Sequence, residues 1–328
     1  MKALCGKIVK RLSATGAAFR QDCHFSSRLA WYRMVDDVSW RLGAGKLSGI
    51  FHEKKDEWIL DYLAGLLVDL IEKYRDDSDV GEKVENAPVW VCWWSGEEDA
   101  PQLVRQCIWS IRKNAGSRPV HLITERTYSD YLDIPPCILD KVSSGAMCLA
   151  NFSDYLRVSL LERYGGLWLD ATIFCARTVP EECFEQSLFT CKSQPAQSRY
   201  LSRFRWTGFC VGGWRGHVFY RFLKEAFERY WAAEPVSIDY LLFDYLIELT
   251  QRHIPAARQA MEAVPVNNLH RDDLQAAMYN ALPADCFESV IQPDTALYKL
   301  SWRERYAEKT ADGRDTIYSQ FISQHTEE

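Results

Sequence analysis

Two carboxylates and a guanidinium lie close together in the sequence between residues 151 and 172. Asp154 and Arg157 are three residues apart, so a helix would place them on one face near its N-terminus. Asp170 follows a short apolar run. An arginine can hold a carboxylate or a phosphate through two parallel hydrogen bonds, so these residue types at this spacing favour a ligand site. The alternative is a helix-internal pair of Asp154 and Arg157, which contributes less than about 1 kcal/mol where it is exposed.

The elements that must position these side chains are a helix, a two-glycine turn and a buried strand. Three apolar residues recur every four positions along the predicted helix: Leu156, Leu160 and Tyr164. We expect Asn151 or Ser153 to cap its first turn, and Gly165 to end it, since helices often stop at a left-handed residue. Residues 167–169 are apolar on both faces, as a strand covered by helices must be. Asp170 would then lie at the carboxyl edge of a sheet, where ligands of open α/β sheets bind.

The order of these residues resembles a motif of glycosyltransferases that use sugar nucleotides. It is similar to the Ser-Asp-x-x-Arg, Gly-Gly and Asp-x-Asp pattern of the mannosyltransferase-like family 32 enzymes and of the large clostridial glucosylating toxins. The greatest similarity is to the bacterial capsular polysaccharide synthesis family, which resembles this chain in Trp-x-x-Trp-Trp-x-Gly-Glu-Glu at 90–98 and in Gly-Gly-Leu-Trp-Leu-Asp-Ala-Thr at 165–172. The resemblance extends more weakly to about residue 318. It implies an α/β fold of GT-A type, with a Rossmann-like mixed sheet and flanking helices.

The resemblance also implies which residues carry out the reaction. Three are expected to be catalytic: Asp170 contacts the ribose and the sugar or a metal ion, Arg157 orients the donor sugar or diphosphate, and Asp154 contacts sugar hydroxyls. Donor binding is expected of five further residues: Trp94, Trp93, Ser153, Gly166 and Trp302. A tryptophan at the end of the first strand would stack on the nucleobase, although a role in the core explains Trp94 as well. The pair 301–302 resembles a C-terminal lid that closes on the diphosphate.

A divalent metal ion is the cofactor that the resemblance implies. Mn²⁺ or Mg²⁺ would neutralise the charge on the departing pyrophosphate, with Asp170 and Thr172 as its ligands. Thr172 stands where the second acid of Asp-x-Asp would be, and a neutral hydroxyl is a weaker ligand, so metal affinity should be low unless another acid contributes. Asp244 and Asp239 are candidates, but solvation on a helix surface explains either of them equally well. The capsular family shares the Asp-Ala-Thr form, which argues against simple decay of the site.

The function that the resemblance implies is transfer of a hexosyl group from a nucleoside diphosphate sugar to a polysaccharide or lipid-linked glycan. This reaction would serve capsule or surface polysaccharide synthesis and would retain the anomeric configuration. Two alternatives remain open. A non-catalytic scaffold that binds nucleotide sugars would explain Thr172 as a lost metal ligand. A sugar-phosphate transferase would release the nucleoside monophosphate instead of the diphosphate.

Length and composition allow a large hydrophobic core. The chain has 328 residues, of which 47% are hydrophobic, and can form one large domain or two. Residues 1–85 are predicted to form a helical extension, with an apolar helical stripe between 59 and 74, and residues 86–328 the glycosyltransferase domain. The charged stretch 75–81 is predicted to link them. The alternation of strand, helix and strand from 89 to 124 indicates parallel pairing.

Charge and cysteine content bear on partners and location. The net charge is −6, but residues 1–33 carry seven cations against Asp22 alone. Four apolar residues would share one side of a basic N-terminal helix: Met1, Leu4, Ile8 and Leu12. Such a helix would contact an anionic membrane surface or pack on the domain.

The remaining features argue against other classes of partner and compartment. The acidic remainder of the chain would repel nucleic acid. Eleven cysteines without a Cys-x-x-Cys pair indicate a reduced, cytoplasmic protein, which would be peripheral at the cytoplasmic face of the inner membrane if its basic end binds there. No apolar run reaches the roughly 20 residues of a membrane span.

Overall fold

Two sheets lie in the part of the chain that the computed structural model describes, residues 19, 21–196, 198–282 and 287–323. Their strands are β1 (Val89–Cys92), β2 (Val120–Ile123), β3 (Gly166–Leu169), β4 (Ile173–Cys175), β5 (Leu188–Thr190), β6 (Cys210–Gly213) and β7 (Leu297–Lys299). The larger sheet has the order β2-β1-β3-β6-β5; β1 is parallel to β2 and β3, whereas β6 is antiparallel to β3 and β5. β4 and β7 form a separate antiparallel pair. The predicted mixed α/β sheet is confirmed.

Helices flank the larger sheet on both faces. Among the described residues, helices occur at α1 (Ser27–Arg41), α2 (Gly45–Leu66), α3 (Val68–Tyr74), α4 (Gln102–Asn114), α5 (Pro136–Ser143), α6 (Leu149–Tyr164), α7 (Glu182–Glu185), α8 (Val218–Ala233), α9 (Leu242–His253), α10 (Pro255–Ala263), α11 (Asp273–Ala277) and α12 (Ile317–Ser323). Short 3₁₀ helices occur at Tyr128–Asp130 and Phe287–Val290.

The two faces of the larger sheet bury different side chains. Trp90 of β1 and Trp168 of β3 lie opposite each other in the parallel register and belong to the apolar cluster that also contains α6 and α8. Val89 and Leu167 point to the other face and pack in a second cluster with Val104 of α4. Because helices cover both faces, these strands can be apolar at every position.

The helix that carries the sequence motif begins earlier than its expected caps. Its N-cap residue is Cys148, which makes no side-chain capping bond. The prediction that Asn151 or Ser153 caps the helix is therefore wrong, since both lie within its first turns; Nδ2 of Asn151 instead donates to the carbonyl of Tyr240 at 3.0 Å. The predicted end is confirmed. Gly165 has φ +67°, and its N–H donates to the carbonyl of Leu161 at 2.9 Å.

The helices before residue 75 pack on α8 and α9 and share their apolar cluster. Ile59, Leu63 and Leu70 of the predicted stripe are buried in that cluster. Tyrosine–carboxylate bonds cross the same interface: Oη of Tyr74 donates to Oε1 of Glu225 at 2.5 Å, Oη of Tyr245 donates to Oδ1 of Asp56 at 2.6 Å, and Oη of Tyr62 donates to Glu234. The predicted linker 75–81 is not helical, and Asp77 and Asp79 within it pair with Arg221 of α8. The boundary at residue 85 stays a prediction.

An apolar stripe of α1 faces solvent. Trp31, Met34 and Val38 of this helix are exposed at helical spacing, and the stripe continues to the C-cap residue Leu42, which exposes 79% of its surface. The predicted basic helix of residues 1–12 lies outside the described residues. Within the described ranges, no helix is both long and apolar enough to span a bilayer.

Candidate functional site

A cavity of about 770 Å³ opens at the carboxyl ends of β1 and β3. Eight residues named from the sequence line it: Trp93, Trp94, Ser153, Asp154, Arg157, Asp170, Thr172 and Trp302. The start of α9 adds Asp244, the end of β7 adds Lys299, and the segment after β7 adds Leu300, Ser301 and Arg303. The structure thus brings together residues from six separate stretches of the chain: 92–95, 149–157, 170–172, 208–209, 240–244 and 299–303. The volume of the cavity falls in the range of about 300–1,000 Å³ that small-molecule sites occupy.

Arg157 lies between two carboxylates at the base of this cavity. Its Nη1 donates to Oδ1 of Asp154 at 2.5 Å, and its Nη2 donates to Oδ1 of Asp170 at 3.2 Å. The guanidinium also packs against the rings of Trp168 and Phe243, at 4.9 and 5.0 Å from their centroids. With only 5% of its side chain exposed, Arg157 is held in one orientation by charge and by packing.

Lys299, the last residue of β7, is a member of the site that the sequence did not reveal. Its Nζ lies 3.2 Å from Oδ2 of Asp170 and 2.5 Å from Oγ1 of Thr172. The pairing of β4 with β7 sets Lys299 opposite Ile173, and the N–H of Leu300 donates to the carbonyl of Thr172 at 2.9 Å. The signal that could have found it is a single cation in an otherwise apolar strand, where charge is unusual.

The carboxylates of the site have pKa values displaced in opposite directions. Burial alone would raise the pKa of Asp170, but the charges of Lys299 and Arg157 lower it to about 2. Burial raises the pKa of Asp154 to about 7, against the opposing effect of Arg157. Burial likewise raises the pKa of Asp244 to about 6, against the hydrogen bond from Trp206. At neutral pH Asp170 is therefore ionised, whereas Asp154 is divided between its protonated and ionised forms, a separation typical of functional sites.

Tryptophans form one wall of the cavity. Trp93 and Trp302 pack edge to face, with centroids 5.7 Å apart, and 44% of the Trp302 surface is exposed. Trp94 packs edge to face on Phe152 at 5.1 Å. These rings lie on elements that follow β1 and β7, so the end of the first strand and the C-terminal segment predicted as a lid meet in the structure. Stacking of a nucleobase on either ring stays a prediction.

Gly166, expected among the donor-binding residues, is not brought to the cavity. It begins β3, at the opposite end of the strand from Asp170. Its φ is +97°, and a Cβ atom there would lie 2.2 Å from the carbonyl oxygen of Pro88. The close approach of the chain before β1 therefore accounts for the glycine, since other residues rarely adopt this conformation.

Comparison with known proteins identifies the family. A family model described as "Capsular polysaccharide synthesis protein" matches residues 42–321, which is most of the chain. The chain belongs to this family. Two curated proteins are also similar to part of the chain. O-glycosyltransferase braB of Annulohypoxylon truncatum is 27% identical over 163 residues, 44% of this chain and 37% of that protein. O-glycosyltransferase PaGT of Phomopsis amygdali is 23% identical over 133 residues, 35% of this chain and 32% of that protein.

The chain thus spans about a third of the length of the curated relatives that it matches. Among solved structures, PaToxG glycosyltransferase superimposes with a TM-score of 0.37 and 13% identity, over 66% of this chain and 91% of its own. That likeness is too loose to assign a fold.

The side chains around Asp170 do not fit the divalent metal ion that the resemblance implies. Such an ion needs several oxygen ligands near 2 Å, and here a single carboxylate and a neutral hydroxyl are offered by Asp170 and Thr172. The ammonium of Lys299 bonds to both of these oxygens. Asp244 accepts instead from Nε1 of Trp206 at 2.9 Å, and Asp239 pairs with Arg33. No group of three or more His, Cys, Asp or Glu that could hold a metal occurs in the described part of the chain.

Proposed function

We propose that the protein is a glycosyltransferase that moves a hexosyl group from a nucleoside diphosphate sugar to a hydroxyl of a polysaccharide or lipid-linked glycan. We propose surface polysaccharide synthesis as its role and GT-A as its type of sheet. The convergence of Asp154, Arg157 and Asp170 in one tryptophan-walled cavity carries this proposal. Membership of the capsular polysaccharide synthesis family and similarity to proteins named O-glycosyltransferases support it.

Three charged groups of the cavity, those of Arg157, Asp170 and Asp154, have roles in binding the donor. Arg157 is fixed by its carboxylate partners and by two rings, so its N–H groups are oriented before a ligand arrives. Hydrogen-bond donors that are already oriented can stabilise the negative charge that develops on a leaving group, because they need not reorganise during the reaction. The ionised Asp170 is suited to accept hydrogen bonds from ribose or sugar hydroxyls. Asp154 holds Arg157 from the helix side and presents a second acceptor.

A retaining transfer fits this set of residues because it requires no protein nucleophile. The bond between the anomeric carbon and the phosphate oxygen breaks while the bond to the acceptor oxygen forms on the same face of the sugar. The acceptor proton passes to the departing phosphate oxygen, so the products are the glycoside and the nucleoside diphosphate. Arg157 stabilises the negative charge that appears on the diphosphate.

We also propose that the exposed stripe of α1 contacts an anionic lipid surface at the cytoplasmic face of the membrane, where a lipid-linked acceptor would be found. Tryptophan and leucine suit the lipid–water interface, and residues 1–33 carry an excess of cations. Sedimentation with anionic vesicles should carry the protein down, and Trp31→Ser with Leu42→Ser should reduce the bound fraction. Equal sedimentation of both proteins would contradict the contact.

A panel of UDP-, GDP- and CMP-sugars tests the proposed reaction through nucleotide release. Hydrolysis of one donor to its nucleoside diphosphate, lost in Asp170→Ala, is the expected result. Release of the monophosphate from a UDP- or GDP-sugar would indicate sugar-phosphate transfer. The non-catalytic scaffold, which the neutral Thr172 favours, predicts donor binding by calorimetry without any release. A fully active Asp170→Ala protein would overturn the assignment of the site.

A further inference from the structure

The ammonium of Lys299 stands at the position that a metal ion would share between the first and last residues of Asp-Ala-Thr. It bridges Oδ2 of Asp170 at 3.2 Å and Oγ1 of Thr172 at 2.5 Å. An ion coordinated by the same two oxygens would lie within van der Waals contact of this nitrogen. A divalent cation and the ammonium therefore compete for one place, and their like charges add to the exclusion.

Backbone hydrogen bonds position both Lys299 and Asp170, the acid that it contacts. Lys299 ends β7, which pairs with β4 directly after Thr172, and the N–H of Leu300 donates to the carbonyl of Thr172. On the other side, the N–H of Asp170 donates to the carbonyl of Phe209, and the ring of Phe209 lies 5.5 Å from Nζ of Lys299. Backbone hydrogen bonds thus fix the positions from which the side chains of Asp170 and Lys299 extend.

The ammonium of Lys299 faces the cavity, and no carboxylate pairs with it alone. Asp170 is shared with Arg157, and Thr172 is neutral. An ammonium has three N–H donors, and these two residues take two of them. The third is available to an oxygen of a ligand in the cavity, where 27% of the lysine side chain is exposed. Lysine is a common ligand of phosphate groups.

We propose that Lys299 takes the place of the divalent cation, so that its ammonium binds the diphosphate of the donor and transfer proceeds without a metal ion. The inference rests on the proposed function. In the transfer, Lys299 and Arg157 together supply two positive charges to the departing diphosphate. Thr172 then has a purpose of its own, because its neutral hydroxyl orients the ammonium without cancelling the charge.

Nucleotide release by the full chain, measured in chelator and in Mn²⁺ or Mg²⁺, tests this inference. The wild-type rates should agree within about twofold across these conditions. Lys299→Met should lower kcat by about 10²- to 10³-fold, the effect of removing one preorganised charged donor, and Lys299→Arg should restore part of the loss. The matched control is Lys309→Met, since Lys309 is exposed and pairs with Asp315 outside the cavity; it should leave the rate unchanged. Melting temperatures identify any variant that fails to fold.

Direct binding gives a second readout. Calorimetry in chelator should show UDP or GDP binding to the wild type and at least tenfold weaker binding to Lys299→Met. The double change Thr172→Asp with Lys299→Met should create a site at which Mn²⁺ both binds and restores release.

The outcomes separate the inference from the function on which it rests. Release that requires Mn²⁺ and stops in chelator would overturn the role of Lys299 while leaving the glycosyltransferase in place. An unchanged rate of nucleotide release in Lys299→Met would likewise overturn the role of Lys299 and leave the glycosyltransferase assignment in place. Absence of both release and nucleotide binding under every condition would overturn the proposed function as well.

Discussion

Nη2 of Arg157 lies 3.2 Å from Oδ1 of Asp170. This contact joins the middle of α6 to the end of β3. Neutralising Asp170 as Asp170→Asn keeps the shape but removes the charge that this guanidinium faces. We expect kcat to fall by about 10²- to 10³-fold, while the variant still folds at the assay temperature. Nucleotide release and circular dichroism check this expectation. Asp312→Asn is the control, because Asp312 is exposed and pairs with Arg314 on a distant loop.

Trp302 should contribute to donor affinity rather than to the rate of transfer. Its ring is 44% exposed and packs edge to face on Trp93 at the cavity wall. Covering an aromatic side chain is worth about 1.5–3 kcal/mol, so Trp302→Ala should raise the donor KM about tenfold or more while kcat changes little. Trp31→Ala, which removes an exposed tryptophan of α1, should leave the KM unaltered. A proportional loss of kcat would argue against a binding role.

Gly166 should tolerate no side chain, for a structural reason. In Gly166→Ala the new Cβ would lie 2.2 Å from the carbonyl oxygen of Pro88, in addition to the strain of φ +97°. We expect a loss of more than about 3 kcal/mol in the free energy of unfolding, measured by urea denaturation. Gly145→Ala separates the two effects, since Gly145 has φ +74° but open space around it. This variant should lose only about 1–2 kcal/mol.

The buried His217 should make the fold sensitive to acid. Its Nδ1 accepts from the N–H of Phe219 at the start of α8, and burial lowers its pKa from 6.5 to about 4. Between pH 6.5 and 4 the unfolded chain therefore binds a proton at His217 that the folded chain does not bind. The free energy of unfolding falls as the pH falls through this range. The slope reaches about 1.4 kcal/mol per pH unit.

Replacing this residue by His217→Asn keeps a capping side chain but removes the titration. The free energy of unfolding of the variant should fall less between pH 6.5 and 4 than that of the wild type. Parallel curves for the two proteins in urea titrations at several pH values would show that His217 is not responsible.

The local parts of the site could be predicted from the sequence because their signals are local. The four-residue apolar period of α6, the glycine at 165 and the apolar run of β3 specify a helix, a turn and a strand. These place Asp154, Arg157 and Asp170 near one another. The caps were not predictable in the same way, since Asn151 bonds to Tyr240, 89 residues away.

The distant parts could not be found by reading along the chain. Lys299 meets Asp170 across 129 residues, through the pairing of β4 with β7. No periodicity in either segment specifies that partner. Gly166 shows the converse: a motif position suggested ligand binding, whereas the approach of Pro88 explains the residue. Asp244 lies on the cavity wall, but its carboxylate bonds to Trp206.

Three consecutive residues of α9 connect the cavity to the first described helices of the chain. Phe243 packs against the guanidinium of Arg157, and Tyr245 donates to Asp56 of α2 on the far side. In a screen of randomly mutated genes, inactivating substitutions should therefore not map to the cavity alone. They should also appear in the part of the gene that encodes α2, and alleles at Asp56 should resemble alleles at Phe243.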